Sequence, residues 1–246
     1  MAQPVPGEPV AVAHCGSERV LVVADYHAGL EIGLRRDGVE IRSHADERRE
    51  RLCRLLADTA ADRVVFLGDL GDALGKPARE ERAELRALID VVTERADVTI
   101  IKGNHDGAIE SVLGDTDGVE LIGAEGVRLG DVGFCHGHTW PAPEVVAAPT
   151  LCTAHEHPQV RLEDEVGGSR TERVWLRGRL DAGGFDGQGY EETGERLVVY
   201  PAYNDLSGGT YVNEADGFLS PFLPEGLADG EAYLLDGTRL GPYEQL

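Results

Sequence analysis

Asn104, His105 and Asp106 stand side by side in the stretch IIKGNHDG, directly behind a β-branched run. A turn that needed only polarity could use Ser, Gly or Pro. An amide, an imidazole and a carboxylate together offer metal binding and proton handling. The same side-chain chemistry recurs in four other short segments: Asp25 and His27 in DYH, Asp69 in GD, His136 in CHGH, and His155 and His157 in AHEH. Six of the eight histidines fall in these segments, so a shared site is the simplest reading.

Carboxylates, imidazoles and one amide oxygen make a mixed oxygen and nitrogen donor set. Such a set suits Mn, Fe or Zn rather than Ca or Mg alone. Residues two apart on a strand share a face, so Asp25 with His27, and His155 with His157, can each grip one ion. A thiolate cage would need CxxC spacing, which Cys15, Cys53, Cys135 and Cys152 lack. They lie mostly in apolar runs, as reduced core thiols of an intracellular protein do.

The segments around these residues predict how they are positioned. VLVVADYH (20–27), VVFLGDLGD (64–72) and VTIIKGNHD (98–106) read as strands that deliver polar residues at their carboxyl ends. Between them, SHADERRERLCRLLADTA (43–60) and REERAELRALIDVVTERA (79–96) have helical spacing. Leu52, Leu55 and Leu56 form the apolar stripe of the first, and Leu85, Leu88, Ile89 and Val92 that of the second. This β-α-β-α-β order predicts parallel strands with Asp25, His27, Asp69 and the GNHD group on one sheet edge.

Beyond about residue 117 the runs shorten and are punctuated by Gly, as in antiparallel hairpins, with a turn at Gly130-Asp131. Pro143 to Ala147 starts a short helix, and TLCTAHEHP (150–158) reads as a strand ending in histidines. RLEDEV, RVWLRGRL and LVVYPAYN are strand-like, 181–195 reads as a solvated loop, and Asp236-Gly237 marks a final hairpin. With no internal repeat and no linker, residues 1–246 read as one domain with two packed sheets.

Acidic residues number 45 against 23 basic ones, the formal charge is -22, and Lys76 and Lys102 are the only lysines. A high-GC genome favours Arg over Lys but does not double acids over bases. The balance fits a halophilic protein kept soluble in molar salt, with an ordinary acidic cytosolic protein as the alternative. No leader pattern opens the sequence and no window approaches 18 apolar residues, so a cytoplasmic location without membrane contact is expected. Arg35, Arg36, Arg48, Arg49 and Arg51 form the one local basic cluster, which reads as a helix flank paired with Asp46, Glu47 and Glu50.

In order along the chain, the five ligand segments resemble the calcineurin-like metallophosphoesterases, whose series is DxH, GD, GNH followed by Asp or Glu, a lone His, and GHxH. The series runs from residue 25 to 157 with one departure, Ala154 in place of the Gly of the last motif. ADYHAGLE, HGHTWP, AHEHP, VWL and PAYNDLSGGTYVN are further similar to archaeal phosphoesterases related to the SbcD-type nuclease subunit, and more distantly to bacterial DNA ligase-associated metallophosphoesterases.

The resemblance implies an α/β fold, a four-layer α/β/β/α sandwich of two packed mixed β-sheets with helices outside. It implies two divalent metal ions, Mn first with Fe or Zn as alternatives. One ion would be held by Asp25, His27, Asp69 and His157, the other by Asp69, Asn104, His136 and His155, so that Asp69 bridges. The pair would activate a water and polarise the phosphoryl oxygens. His105 would face the phosphate, and Asp106 would hold the other nitrogen of its imidazole.

The implied activity is phosphodiester hydrolysis, extending to nuclease action in DNA repair. Phosphomonoester or nucleotide hydrolysis is the alternative, and a non-catalytic scaffold on the same fold is the alternative of another class. The implied partners are a phosphoester substrate, nucleotide or DNA, and a DNA-repair or helicase protein. A net charge of -22 opposes polyanion binding at low salt, but says little once the Debye length falls to about 3 Å. The sequence carries no equivalent of the DNA-capping region of SbcD-type nucleases, an expectation against processive duplex degradation.

Outside the ligand set, Asp72 reads as a turn carboxylate or a support of the site, and His138 as a loop residue or a substrate contact. Glu156, opposite in direction to its flanking histidines, reads as solvated. Cys135, Cys152, Trp140 and Tyr203 read as packing residues, and His14 and His44 as surface.

Overall fold

The β-branched runs form strands because each can bury both faces, and they do so in two sheets. The computed structural model describes residues 2–163, 167–214 and 217–246. The first sheet contains β1 (Ala2–Pro4), β2 (Val10–Cys15), β3 (Glu18–Val23), β4 (Arg63–Leu67), β5 (Asp97–Ile101) and β6 (Val119–Ile122), in that spatial order. β1 to β3 pair antiparallel, and β3 to β6 pair parallel. The parallel stretch is reached through α1 (Leu30–Arg36), α2 (Ala45–Thr59), α3 (Arg79–Thr93) and the short α4 (Glu110–Leu113).

Period-two alternation assigns each face of this sheet to a separate core. Leu21, Val23, Val64, Phe66, Val98 and Ile100 pack outward with the expected stripes of α2 and α3. Val20, Val22, Val65, Leu67 and Ile101 face the second sheet and pack with its Phe134, Cys152, Trp175, Val198 and Tyr200.

The second sheet comprises β7 (Val127–Leu129), β8 (Val132–Phe134), β9 (Thr150–Thr153), β10 (Gln159–Glu163), β11 (Ser169–Leu180), β12 (Arg196–Val199), β13 (Leu227–Leu234) and β14 (Arg239–Pro242). It runs β14-β13-β11-β12-β9-β8-β7, with β10 pairing beside β11. β8, β9 and β12 are parallel neighbours and the remaining pairings are antiparallel, so both sheets are mixed. Residues 164–166, the end of the RLEDEV run, lie outside the described residues.

Some expectations need correction. β6, read as part of an antiparallel hairpin, extends the first sheet in parallel, because its residues pair with Val98 to Ile101 of β5. The expected helices outside the two mixed sheets are present, the outer face of the second sheet carrying the short α5 (Pro143–Val146) together with irregular chain. Part of that cover is 181–195, a loop most of whose residues are exposed as expected. Phe185 within it is buried and stacks on Phe222, and the Tyr190 hydroxyl donates to the Pro141 carbonyl at 2.6 Å.

The turns at Gly130 and Gly237 fall where expected. Of the arginine cluster, Arg35 pairs with Glu80, Arg49 with Asp46, Arg51 with Glu8 and Asp205, and Arg48 with Glu31 and Glu84. That cluster is largely neutralised within the chain. Among the described residues no helix is long and apolar enough to cross a membrane.

Candidate metal centre

The carboxyl ends of parallel strands share an edge, so β3, β4 and β5 bring DYH, GD and GNHD together. From the facing sheet, the ends of β8 and β9 bring CHGH and AHEH to the same edge. The segments meet at a cleft of about 600 Å³, lined in part by His27, Asp69, Asn104, His105, His155 and His157.

The expected ligands sit past the strand ends rather than on them. β3 stops at Val23 and β9 at Thr153. Asp25, His27, Asp69, His155 and His157 have φ of 52°, 46°, 46°, 70° and 44°. Only two other non-glycine residues in the described chain, Ala60 and Asp229, have positive φ, so left-handed backbone is concentrated at this cleft. Each such residue costs about 1–2 kcal/mol of local strain. The chain spends that strain in aiming side chains inward where a strand would have alternated them.

The motif glycines are required by close approach. A Cβ on Gly68 would collide with the His136 imidazole, and one on Gly103 with the Asp69 carboxylate.

Two donor groups contain the expected ligands, and a third joins His27 to Asp72 and His105. In the first, ligand atoms of Asp25, His27 and His157 lie within 4.8 Å of one another. His157 Nε2 is 3.3 Å from Asp25 Oδ1 and 3.3 Å from His27 Nε2. In the second, ligand atoms of Asp69, His136 and His155 lie within 4.8 Å, with His136 Nε2 3.4 Å from Asp69 Oδ2 and 3.2 Å from Asn104 Oδ1. Asp69 Oδ2 also lies 4.0 Å from His27 Nε2, so one carboxylate borders both groups.

Backbone carbonyls set the imidazoles. A carbonyl only accepts, so His136 Nδ1 donates to Leu67 O at 2.7 Å and His157 Nδ1 to Gly208 O at 2.8 Å. Both Nε2 lone pairs then turn toward the donor groups, the arrangement a metal requires.

The residues fit a cation pair on the evidence of unsatisfied atoms. Asp25 is fully buried, yet neither carboxylate oxygen accepts a hydrogen bond. Buried acceptors are almost always satisfied, and an ion would satisfy both. Two imidazole nitrogens on one tetrahedral ion stand roughly 3.4 Å apart, given metal to nitrogen distances of about 2.1 Å, and His27 and His157 match that separation.

Protonation compensates the site when no cation is bound. Burial alone would lower the pKa of His136, but Asp69 and Asp25 raise it to about 9. Burial likewise opposes His157, and Asp25 lifts it. Burial and the neighbouring His136 push His155 down to about 4. Asp25 and Asp69 resist burial and stay below the usual carboxylate range because these imidazoles face them. Cations would displace those protons.

Asp106 requires a correction. Its carboxylate does not touch the His105 imidazole; it accepts backbone N–H groups from Gly103 at 2.9 Å, Gly71 at 3.1 Å and Leu70 at 3.3 Å. It therefore ties the GD turn to the GNHD turn. Despite those bonds, burial pushes its pKa up. His105 Nδ1 instead pairs with the Asp72 carbonyl, and its backbone N–H donates to Asp69 Oδ1 at 2.9 Å.

Residues outside the expected ligand set also support the site, Asp72 as one of its two expected readings had it and Asn204 without any expectation. Asp72 Oδ1 lies 3.2 Å from His27 Nδ1, so this turn carboxylate faces a donor imidazole. Asn204 Nδ2 donates to the carbonyls of Tyr26 and His27 at 3.3 and 3.2 Å and steadies the DYH turn. Its place in PAYND was the available signal. Glu156 is buried rather than solvated, because at the end of a strand covered on both faces the residue opposite a ligand also points into protein. His138 rests its ring 5.3 Å from that of His136. Cys135, Cys152 and Tyr203 are buried, Tyr203 stacking on Tyr26.

The crystal structure of the Pseudomonas putida nuclease MPE superposes with a TM-score of 0.55 and 19% identity, covering 98% of this chain and 100% of that one. At that identity the likeness is one of fold. No curated protein matches the sequence significantly. The family profile described as calcineurin-like phosphoesterase matches residues 18–210. Because that match spans most of the sequence and every motif that meets in the cleft, the chain belongs to the calcineurin-like phosphoesterases, hydrolases that act on phosphoester bonds.

Proposed function

We propose that the protein hydrolyses phosphodiesters as a single domain, with Asp25, His27, Asp69 and His157 holding one divalent cation and Asp69, Asn104, His136 and His155 holding another. The observation that carries this is the pair of donor groups bordered by one carboxylate, with two unsatisfied oxygens on Asp25. Mn is the first choice by the family resemblance, within the Mn, Fe and Zn that mixed oxygen and nitrogen donors without sulfur suit. Bound there, the two ions would lower the pKa of an attacking water and polarise the phosphoryl oxygens.

The chain's own residues do the rest. Asn104 contributes a neutral oxygen, which limits the negative charge gathered around the second ion. His105, fixed through Nδ1 by the Asp72 carbonyl, borders the cleft and presents Nε2 to the leaving oxygen, where it supplies a hydrogen bond or proton. Asp106 serves by holding the two turns in register.

A diester is favoured over a monoester by charge. No described residue lining the cleft is Lys or Arg, so a monoester dianion would find no countercharge beyond the ions. A diester carries one negative charge and two organic groups. The nuclease described for the structural neighbour makes a nucleotide or DNA diester the substrate to test first. A cytoplasm of molar salt, with a DNA-repair or helicase partner, is the setting in which an acidic chain of this composition would meet such a substrate.

The test is hydrolysis of bis(p-nitrophenyl) phosphate, p-nitrophenyl phosphate and labelled single- and double-stranded DNA. It uses protein stripped by chelator and reloaded with Mn, Fe or Zn, from low to molar KCl. Two metal equivalents, faster diester than monoester turnover and loss of activity in His105→Ala are expected. Faster monoester turnover, or full activity in the variant, would overturn the assignment.

A further inference from the structure

Glu156 stands between two ligand residues, His155 and His157, yet belongs to neither donor group. It is 0% exposed. Burying a carboxylate is costly unless its lone pairs are used. Here Oε1 accepts the Ser220 N–H at 2.7 Å and the Leu219 N–H at 2.9 Å, while Oε2 accepts the Leu219 N–H at 3.0 Å and the Thr210 hydroxyl at 3.1 Å. The backbone adds two more ties: Thr210 N–H donates to the Glu156 carbonyl at 2.9 Å, and His157 Nδ1 to the Gly208 carbonyl at 2.8 Å.

These bonds fasten two pieces of chain, around Thr210 and around Leu219, to the turn that carries two ligands. Neither piece is a strand, although Tyr211 bridges Gln159 at the start of β10, and both border the cleft. The surface they offer combines an apolar side chain with an aromatic ring. Leu219 is 60% exposed beside an otherwise polar cleft, and Tyr211 carries the Arg161 guanidinium 5.3 Å from its ring centroid. The His27 ring packs edge-on against both His105, at 5.2 Å, and His157, at 5.1 Å. The wall is fastened through His157, whereas His105, the residue assigned to the leaving oxygen, is held by the Asp72 carbonyl and Asp69.

We propose that Glu156 is a positioning residue. It holds the wall bearing Tyr211 and Leu219 at a fixed distance from His155 and His157, and this wall receives the organic group that stays on the phosphate, a planar aryl or nucleobase-bearing group. The inference rests on the phosphodiester reading above.

The experiment compares bis(p-nitrophenyl) phosphate with methyl p-nitrophenyl phosphate, which lose the same leaving group and differ in the group that remains. Glu156→Gln is expected to raise KM for the diaryl ester by about fivefold to tenfold, more than it lowers kcat, and to change KM for the methyl ester by less than about twofold. Leu219→Ala, at an exposed position where truncation leaves no cavity, is expected to shift the same KM in the same direction by about twofold to fivefold. Both variants should still bind two equivalents of Mn, a readout that a general loosening of the site would lower.

If the ratio of the two KM values is unchanged in both variants, or the loss lies in kcat and bound metal, the role assigned to Glu156 is wrong while the phosphodiester reading stands. If the native protein cleaves neither ester, both fall together. Should Glu156→Gln fail to fold by circular dichroism, Leu219→Ala alone decides.

Discussion

Arg48 and Asp25 are both buried, and their surroundings differ. Around Arg48, every carboxylate oxygen is engaged. Nη1 and Nη2 donate to the two oxygens of Glu31 at 2.6 and 3.0 Å, and Nη2 also donates to Glu84 at 2.7 Å. The remaining demand is met by backbone, His44 N–H on Glu31 and Gly29 N–H on Glu84. Asp25 accepts no hydrogen bond, its nearest groups being the His157 and His136 imidazoles at 3.3 and 3.7 Å. Yet the two places adjoin, since Gly29 lies two residues beyond His27. The chain engages every carboxylate oxygen of the charge cluster that shapes the turn, leaving Arg48 Nε as its one unpartnered side-chain atom, and engages neither oxygen of the carboxylate at the tip. A buried carboxylate whose lone pairs are all used by the chain is structural, and one whose lone pairs are left over marks where something is to bind.

The sharpest way to break this contrast is Asp69→Asn. It removes the carboxylate bordering both donor groups and should lower diester turnover by at least about a thousandfold, the loss of several kcal/mol of metal-supplied stabilisation. Mn should then no longer raise the melting temperature. If turnover survives, the groups do not act as a pair.

Arg48→Met addresses the other side. Leaving Glu31 and Glu84 buried without a countercharge should cost about 3–5 kcal/mol in urea unfolding, with Mn binding retained. A loss of Mn affinity as large as that of Asp69→Asn would erase the distinction between the two regions.

Asp72→Asn tests the border between them. It weakens the carboxylate facing His27 Nδ1 and should reduce Mn affinity or turnover by about tenfold to a hundredfold, measured by metal titration and initial rates. The smallest effect concerns pH. Burial opposes ionisation of Glu31, but Arg48 and the His44 N–H hold its pKa down, so its stabilisation is present above the unfolded carboxyl range and is lost as pH falls through the folded value. Burial raises Glu84 despite Arg48, so its charge costs stability above that range and its protonation in acid relieves the cost. Glu31→Gln should therefore destabilise more than Glu84→Gln at neutral pH, and the gap should close in acid melts. A gap that widened would reverse the assignment.

The helices, the parallel strands and the residues that meet in the cleft could be read because they depend on local patterns. The stripe Leu85, Leu88, Ile89 and Val92 shows its period directly, and ligand chemistry is carried by residue type. What could not be read depends on long-range contact. β6 joins the first sheet only because β5 offers an open edge. The direction of Asp106 depends on three N–H groups, two of them more than thirty residues away. Left-handed backbone at Asp25 or His155 leaves no trace in an apolar pattern that looks like a continuing strand. Glu156 looked solvated because its immediate neighbours say nothing of Leu219 and Ser220, some sixty residues on.

Asp25, His27, Asp69 and Asn104 follow strands of the first sheet, while His136, His155 and His157 follow strands of the second. Neither half of the sequence can gather a full set of donors by itself. During synthesis the nascent polypeptide would thus stay inert toward its substrate until the later sheet has docked, and tight metal uptake would report that the two halves have closed on each other.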